Sequence, residues 1–542
     1  MAAADRFSGL SDDMLVSVIS FLSTKDAACT SVLSRRWRSL WLSTDALNLD
    51  SRSYRGLGAS QLTDRFFSDA GAALRAAGRC PVRKLSLFVE GPSDMYCDEV
   101  MSATVITSAS TWGCSDLLVA LLAAEELRRI EELRLGFCSG ERLLLYLYDL
   151  DLGVLPGNTL RVLDLACTRI NLPRSPSATV LLPRLSVLRL HKCSSRMKDL
   201  EDFIRDLPCL GSLHIDSHDF LSSLDTRDGR FTLHCPSVTT VKLADLGFGT
   251  DKVIELDAPC LRNFKYDGGL LDFSMKSPTP ELAQVELAIT PRPCRCRYNE
   301  TEKPWFGAFW RIIRKFQHAK ILKLKVPNIY GIAVTKDGEH EHLVMLLSLE
   351  RLELEGPCDQ GRRNDTATAV ANLLQCCPMI QDLQIRIVNQ NRYGVVTEDV
   401  VPPHFDVSLD LFKRRYTKEI MAMIDGDTGR SLDVPELPGL SGFEFNCLRN
   451  HLKNVKLEFV FKEMNSFEVS FAKFLAENCM PVTVLQIVDG KRNFLSHINR
   501  MVERWRANAV EQRKQIEHDS AELSRQRGKG NIIPVGKHEN TE

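Results

Sequence analysis

Nowhere in this chain do about 18 apolar residues stand together without a charge, so no membrane-spanning helix is predicted. An excess of either charge is also missing. Lys and Arg number 69 against 70 Asp and Glu, a net charge of −1. A domain held globally to nucleic acid carries a clear basic excess, so no nucleic-acid partner is expected. The run Lys413-Arg414-Arg415 reads as a solvated face. The opening "MAAADRFSGLSDDM" is acidic where a secretory leader needs basic residues and then an apolar stretch. The 17 cysteines are odd in number and scattered, and Cys294-Arg-Cys296 and Cys376-Cys377 lack zinc-finger spacing. Free thiols in the cytoplasm or nucleus are therefore expected, with the sequons at Asn299 and Asn364 left unglycosylated.

Catalytic signatures are absent too. No G-x-x-x-x-G-K-[ST], G-x-S-x-G, H-E-x-x-H or G-x-G-x-x-G occurs, so neither an enzyme nor a cofactor is expected. His340 and His342 stand two apart, the wrong spacing for one helix face, and read as an exposed loop. His214, Asp216 and His218 alternate along a predicted strand and would share a side. With no further ligand in view they read as a polar strand face, and no metal is expected.

What the chain does contain is an ordinary soluble mixture, 44% hydrophobic and 26% charged over 542 residues. From about residue 81 one pattern recurs, an apolar residue at i, i+3 and i+5. It runs through Val82, Leu85 and Leu87, then Ile130, Leu133 and Leu135, and onward to Leu452, Val455 and Leu457 and to Val482, Leu485 and Ile487. The middle positions at 133, 163, 188, 213, 241, 264 and 285 are 30, 25, 25, 28, 23 and 21 residues apart. That is close to the period of about 20–29 residues of leucine-rich repeats. Each copy predicts a short parallel strand, and stacked copies share one core. Leu135-x-x-Cys138 and Leu190-x-x-Cys193 end two early copies with a thiol expected to sit buried against the turn. Later intervals lengthen to 37, 30 and 31, so the array is irregular.

Other segments have their own character. "DRFFSDAGAALRAAG" predicts a helix stopped by Gly78, inside a helical linker over 46–80. "SDLLVALLAAEEL" reads as a core helix, and "WFGAFW" as a packed return helix ahead of the Leu322 strand. Residues 391–446, rich in Pro, Gly and charge, read as an inserted loop region with a short helix near Lys418–Ile424. Residues 501–542 read as a charged helix and a disordered tail.

The stretch Asp5–Trp41 holds more large apolar residues than a segment of its length can bury alone. Ser11 with Asp12 and Asp13 predicts a helix start running to about Leu22. Thr24 can cap a second helix through Val32 and Leu33, and Ser34 a third holding Trp37, Leu40 and Trp41. Such a surface packs on the repeats or on a partner.

These residues closely resemble an F-box as found in plant F-box proteins. The likeness lies in Asp5-x-x-Ser8-x-Leu10, Asp12-Asp13-x-Leu15, Ile19-Ser20-Phe21-Leu22, Thr24-Lys25-Asp26-Ala27 and Thr30-Ser31-Val32-Leu33-Ser34-Arg35-Arg36-Trp37-x-x-Leu40-Trp41. Where that family usually has Leu-Pro, this chain has Leu10-Ser11. Cys447–Cys479 is similar to the FBD region of plant F-box proteins with leucine-rich repeats, through Leu452-Lys453-x-Val455-x-Leu457 and the later Ala472-Lys473-Phe474-Leu475, without the usual glycine after the strand. The implied fold is α/β: a short three-helix F-box over 1–45, an irregular leucine-rich-repeat solenoid over 81–390, and FBD-like repeats over 447–500.

The resemblance implies docking on a Skp-family adaptor and, through it, a cullin ubiquitin ligase of SCF type, with the repeats presenting an unidentified target protein. Apolar helix faces would supply the adaptor contact. The candidates are Leu10, Leu15, Val18, Ile19, Leu22, Val32, Leu33, Trp37, Leu40 and Trp41, about half of which would instead hold the helices together. Two other classes stay open: a repeat-array receptor binding a small molecule together with a protein, and an adaptor-binding scaffold that promotes no degradation.

Overall fold

In the computed structural model the described residues are 9–54, 59–76, 81–90, 115–138, 147–172, 181–220, 230–247, 252–290, 305–335, 340–388, 434–440, 443–459, 467–479, 484–489 and 495–529. They form two compact units, Met1–Cys296 and Arg297–Glu542.

The first unit begins with helices α1 (Asp12–Ile19) and α2 (Thr24–Cys29), followed by 3-10 turns at Thr30–Val32 and Leu40–Ser43. Strands β1 (Ala46–Asp50) and β2 (Lys84–Glu90) follow, with helix α3 (Ala59–Ala76) between them. Helix α4 (Ser115–Leu122) leads into β3 (Glu132–Cys138). The chain continues through β4 (Tyr148–Asp151), β5 (Val162–Ala166), β6 (Thr168–Asn171), β7 (Val187–His191), β8 (Ser194–Ser195), helix α5 (Met197–Arg205), β9 (Ser212–Asp216) and β10 (Asp219–Phe220). It ends with β11 (Arg230–His234), β12 (Thr240–Ala244), β13 (Val253–Asp257), β14 (Asn263–Gly268), β15 (Asp272–Met275) and β16 (Gln284–Ile289).

The repeat triplets become the parallel main sheet from β2 onward, in the order β1-β2-β3-β5-β7-β9-β12-β14-β16. Register aligns their middle members: Leu85 with Leu133, Leu163, Leu188, Leu213, Val241, Phe264 and Val285. Every one of these side chains is buried. Strand alternation turns the residues between them to the opposite, open face, so each repeat covers its neighbour's apolar side.

A recurring backbone feature turns the chain at the end of each central strand. Cys167, Lys192, Ser217 and Asp245, the residues just after β5, β7, β9 and β12, all have positive φ, between 39° and 55°. Each N–H still extends the ladder by one rung, for example Lys192 N to Asp216 O at 2.8 Å. The left-handed residue swings the chain into a second parallel sheet, β10-β8-β6-β4. A third, β11-β13-β15, is also parallel.

Two expectations change here. The interval 46–80, expected as a helical linker, opens with β1, which pairs with β2 as the first strand of the main sheet. The expected third helix over Ser34–Trp41 is a series of turns ending in a 3-10 turn. The sequence there, Ser-Arg-Arg-Trp-Arg-Ser, sets three arginines within four positions, Arg35 and Arg38 at i, i+3, among the weaker helix formers serine and tryptophan.

The second unit carries helix α6 (Phe306–Lys315), β17 (Ile321–Lys325), β18 (Arg351–Pro357), helix α7 (Arg363–Cys376), β19 (Asp382–Val388), helix α8 (Asn446–Asn450), β20 (Asn454–Phe459), helix α9 (Phe467–Asn478), β21 (Val484–Asp489) and helix α10 (Leu495–Lys529). Its strands pair in parallel in chain order, with Leu352, Leu383 and Val455 buried in register. The "WFGAFW" segment is the packed return helix expected: Phe309 and Trp310 are buried on α6, and Trp310 Nε1 donates to Ile332 O at 3.0 Å. The helix expected at Lys418–Ile424 and the tail beyond 529 lie outside the described residues. Among the described residues, no helix is long and apolar enough to cross a membrane.

Candidate functional site: an apolar rim at the N-terminus

Ser11 caps α1 as its sequence requires, accepting from Met14 N, with Asp12 and Asp13 in the first turn. Ser23, one residue ahead of the expected Thr24, caps α2 by accepting from Asp26 N at 3.1 Å. Thr24 Oγ1 instead accepts from Asn48 N on β1 at 3.0 Å. The Asn48 side-chain amide donates to Ser20 O and Leu22 O, both at 2.8 Å, satisfying carbonyls left open where α1 ends. Asn48 thus ties the helical segment to the first strand of the sheet. Arg36 closes the other side, donating to Asp12 at 2.7 Å and to the Leu10 carbonyl.

Within this frame the candidates separate by helical period. Leu15, Ile19 and Leu40 are buried and form a small core with Ala27. Leu10, Trp37 and Trp41 pack against it, half-buried. Val18, Leu22, Val32 and Leu33 face outward, with Val32 87% and Leu33 65% exposed. Phe21, 85% exposed, and Met14 join them, although the sequence reading did not single them out. The signal was present in their spacing: Leu15 and Ile19 are i, i+4 on one face, and Met14, Val18 and Phe21 run i, i+4, i+7 on another. Between residues 12 and 33, Met14, Val18, Phe21, Leu22, Val32 and Leu33 thus leave six apolar side chains exposed, an accumulation that large surface apolar groups show where proteins interact.

The other candidates resolve differently. His214 and Asp216 stay on β9, but Ser217 at φ 52° turns the chain, and His218 is carried into the interior. The three do not share a face, and among the described residues no group of three or more His, Cys, Asp or Glu is placed to hold a metal. Cys193 is buried as expected of a repeat-turn thiol, donating to Leu165 O at 3.3 Å, with burial pushing its pKa up to about 11. Burial likewise raises Cys376 to about 12 and Cys377 above its usual value, so these thiols are inert at neutral pH.

Residues 7–47 match the F-box domain. The wider chain is similar to plant proteins that combine an F-box with repeats. An F-box/FBD/LRR-repeat protein of Arabidopsis thaliana is 26% identical over 294 residues, 53% of this chain and 60% of that protein. A second F-box/FBD/LRR-repeat protein of Arabidopsis thaliana is 28% identical over 248 residues, 40% of this chain and 56% of that one. An F-box/LRR-repeat protein of the same plant is 54% identical over 50 residues, 9% of this chain and 14% of its own length. The matched part thus spans at most about 60% of these relatives.

Proposed function

We propose that this chain is the substrate-recognition subunit of an SCF-type cullin ubiquitin ligase, whose F-box binds a Skp-family adaptor while its repeats bind a target protein. It acts in the cytoplasm or nucleus and performs no covalent chemistry itself. The observation that carries this reading is the exposed apolar rim of Val18, Phe21, Leu22, Val32 and Leu33 on the segment that matches the F-box. Burying one such side chain contributes roughly 1.5–3 kcal/mol, so a few of them support a stable complex against the costs of ordering. The short, hydrogen-bonded connection through Asn48 favours a fixed geometry between adaptor and repeats, which aids group transfer by proximity.

The test is co-purification of the full chain with a Skp-family adaptor. Val32→Asp with Leu33→Asp changes only exposed positions, so it should leave the helical segment folded and weaken capture by more than about tenfold, since each substitution desolvates a charge in the contact. Leu15→Asp with Ile19→Asp should also abolish capture, but by unfolding α1. Capture of the Val32→Asp, Leu33→Asp variant at the level of the native chain would remove this surface from the adaptor contact.

A further inference from the structure

On the open face of the first unit's main sheet, side chains of adjacent strands stand in rows. In one row Ser86, Arg134, Asp164, Arg189, His214, Lys242, Lys265 and Glu286 follow one another in register. The signs alternate as far as Arg189 and then stop alternating. Arg189, His214, Lys242 and Lys265 follow one another on β7, β9, β12 and β14: three cations with the His214 imidazole, neutral at pH 7, between the first two, and Lys242 and Lys265 as direct like-charged neighbours. Like charges on neighbouring strands are destabilising, and among the described residues the other strand rows avoid them. In the second unit Lys323 meets Glu353, and Lys325, Glu355, Arg386 and Glu458 alternate across four strands. On the third sheet Arg230 and Lys276 close on Glu255 from both sides.

The neighbouring acids do not compensate the centre of the row. Asp164 lies 3.8 Å from Arg189, and Glu286 lies 2.5 Å from Lys265, at its two ends. Asp216 and Asp267 stand in the next row, on either side of Ala244. Asp216 is held by His191 at 2.7 Å and Ser217 at 2.9 Å, and Asp267 is engaged as well. Lys242 is exposed and has no carboxylate in ion-pair reach among the described residues. The His214 pKa is lowered to about 4, by burial first and then by Lys242 and Arg189, so at neutral pH its ring adds no charge to the row and lies 3.1 Å from Ser212 Oγ. The row on the other side is neutral and hydrogen-bonding, with Ser212, Thr240 and Asn263.

We infer that the row Arg189, His214, Lys242 and Lys265 receives the target, and that the segment it receives is an extended, acidic stretch of protein. This rests on reading the chain as a substrate-recognition subunit. Three strand spacings of about 4.8 Å give the row a length of about 14 Å. An extended chain rising about 3.3 Å per residue sets side chains of one face about 7 Å apart, so two or three carboxylates reach the row. Their charge relieves the like-charge stacking, and the Ser212, Thr240 and Asn263 side offers hydrogen bonds away from the acids.

The experiment uses the full chain in complex with the adaptor and fluorescein-labelled hexaglutamate as probe, with binding followed by anisotropy. Hexaglutamate should bind, and binding should weaken as salt rises from about 50 to 200 mM. Lys242→Glu should weaken it about tenfold or more, while Lys456→Glu, on the second unit, should leave it unchanged. A hexaphosphoserine peptide that binds more tightly, and loses that binding in Lys242→Glu, would identify phosphate as the preferred acid at the same row. No hexaglutamate binding, or equal binding by the native chain and Lys242→Glu, overturns the inference. Adaptor capture is scored on the same samples and should be unaffected by Lys242→Glu. A native chain that fails to capture adaptor counts against the ligase reading and leaves the peptide result to judge the row.

Discussion

His218 shows what the fold asks of a single residue. It is 1% exposed, its Nε2 lies 2.9 Å from Ser195 Oγ, and the Phe220 ring centre is 4.8 Å from its own. Burial lowers its pKa to about 4, against about 6.5 in an unfolded chain. Between these values the unfolded chain takes up a proton that the folded one refuses, so stability is full above about pH 6.5 and falls as pH drops through 4. The loss is on the order of 3 kcal/mol for so buried a group. His218→Gln should therefore give a flatter dependence of urea-unfolding free energy on pH between about 7 and 4. His214 titrates in the same direction in both proteins and cancels in the comparison. Parallel curves for the two proteins would show that His218 does not carry this linkage. Nothing in the sequence set His218 apart from His214, because the turn at Ser217 that separates them is a backbone event that side-chain alternation does not reveal.

At the scale of elements, the strands were legible where three apolar positions met a constant spacing, since burying that triplet against the next copy is what makes the strand. β1 escaped because the first of its three positions is Thr44, buried and bonded to Ala46 O through its hydroxyl, so that only Leu47 and Leu49 showed. β8 and β10 escaped because two-residue strands such as Ser194–Ser195 carry no period. The ten candidates of the opening segment all fall within residues 7–47, which match the F-box domain, but their division into core and rim appears only once α1 and α2 have faces. Cys167, Lys192, Ser217 and Asp245 form a column of positive φ that a bulkier side chain would strain. A β-branched residue in the left-handed region is strained by about 1–2 kcal/mol or more, whereas glycine adopts it freely and loses only unfolded-state entropy of about 0.4–1 kcal/mol. Ser217→Val should thus lower the thermal midpoint by several degrees and Ser217→Gly should leave it nearly unchanged. Equal midpoints for the two variants would mean that the turn relaxes at no cost.

For the molecule as a whole, the parallel stacking makes stability a nearest-neighbour property. Leu213 on β9 is fully buried, in register with Leu188 on β7 and Val241 on β12. The sheet order places β1, β2 and β3 beyond β5 and β7, with no direct pairing to β9. Leu213→Ala leaves a cavity and should cost about 2–5 kcal/mol locally. In a repeat array that cost is shared with the adjoining repeats and fades along the stack. Hydrogen exchange should accordingly quicken most in β9, less in β7 and β12, and very little in β1 and β2. The cap contacts of Asn48 would then keep the F-box segment protected, and adaptor capture should survive the substitution. Uniform loss of protection from β1 to β16 would instead show that the first unit unfolds as one cooperative body, so that a defect anywhere on the main sheet would reach the N-terminal helical segment directly.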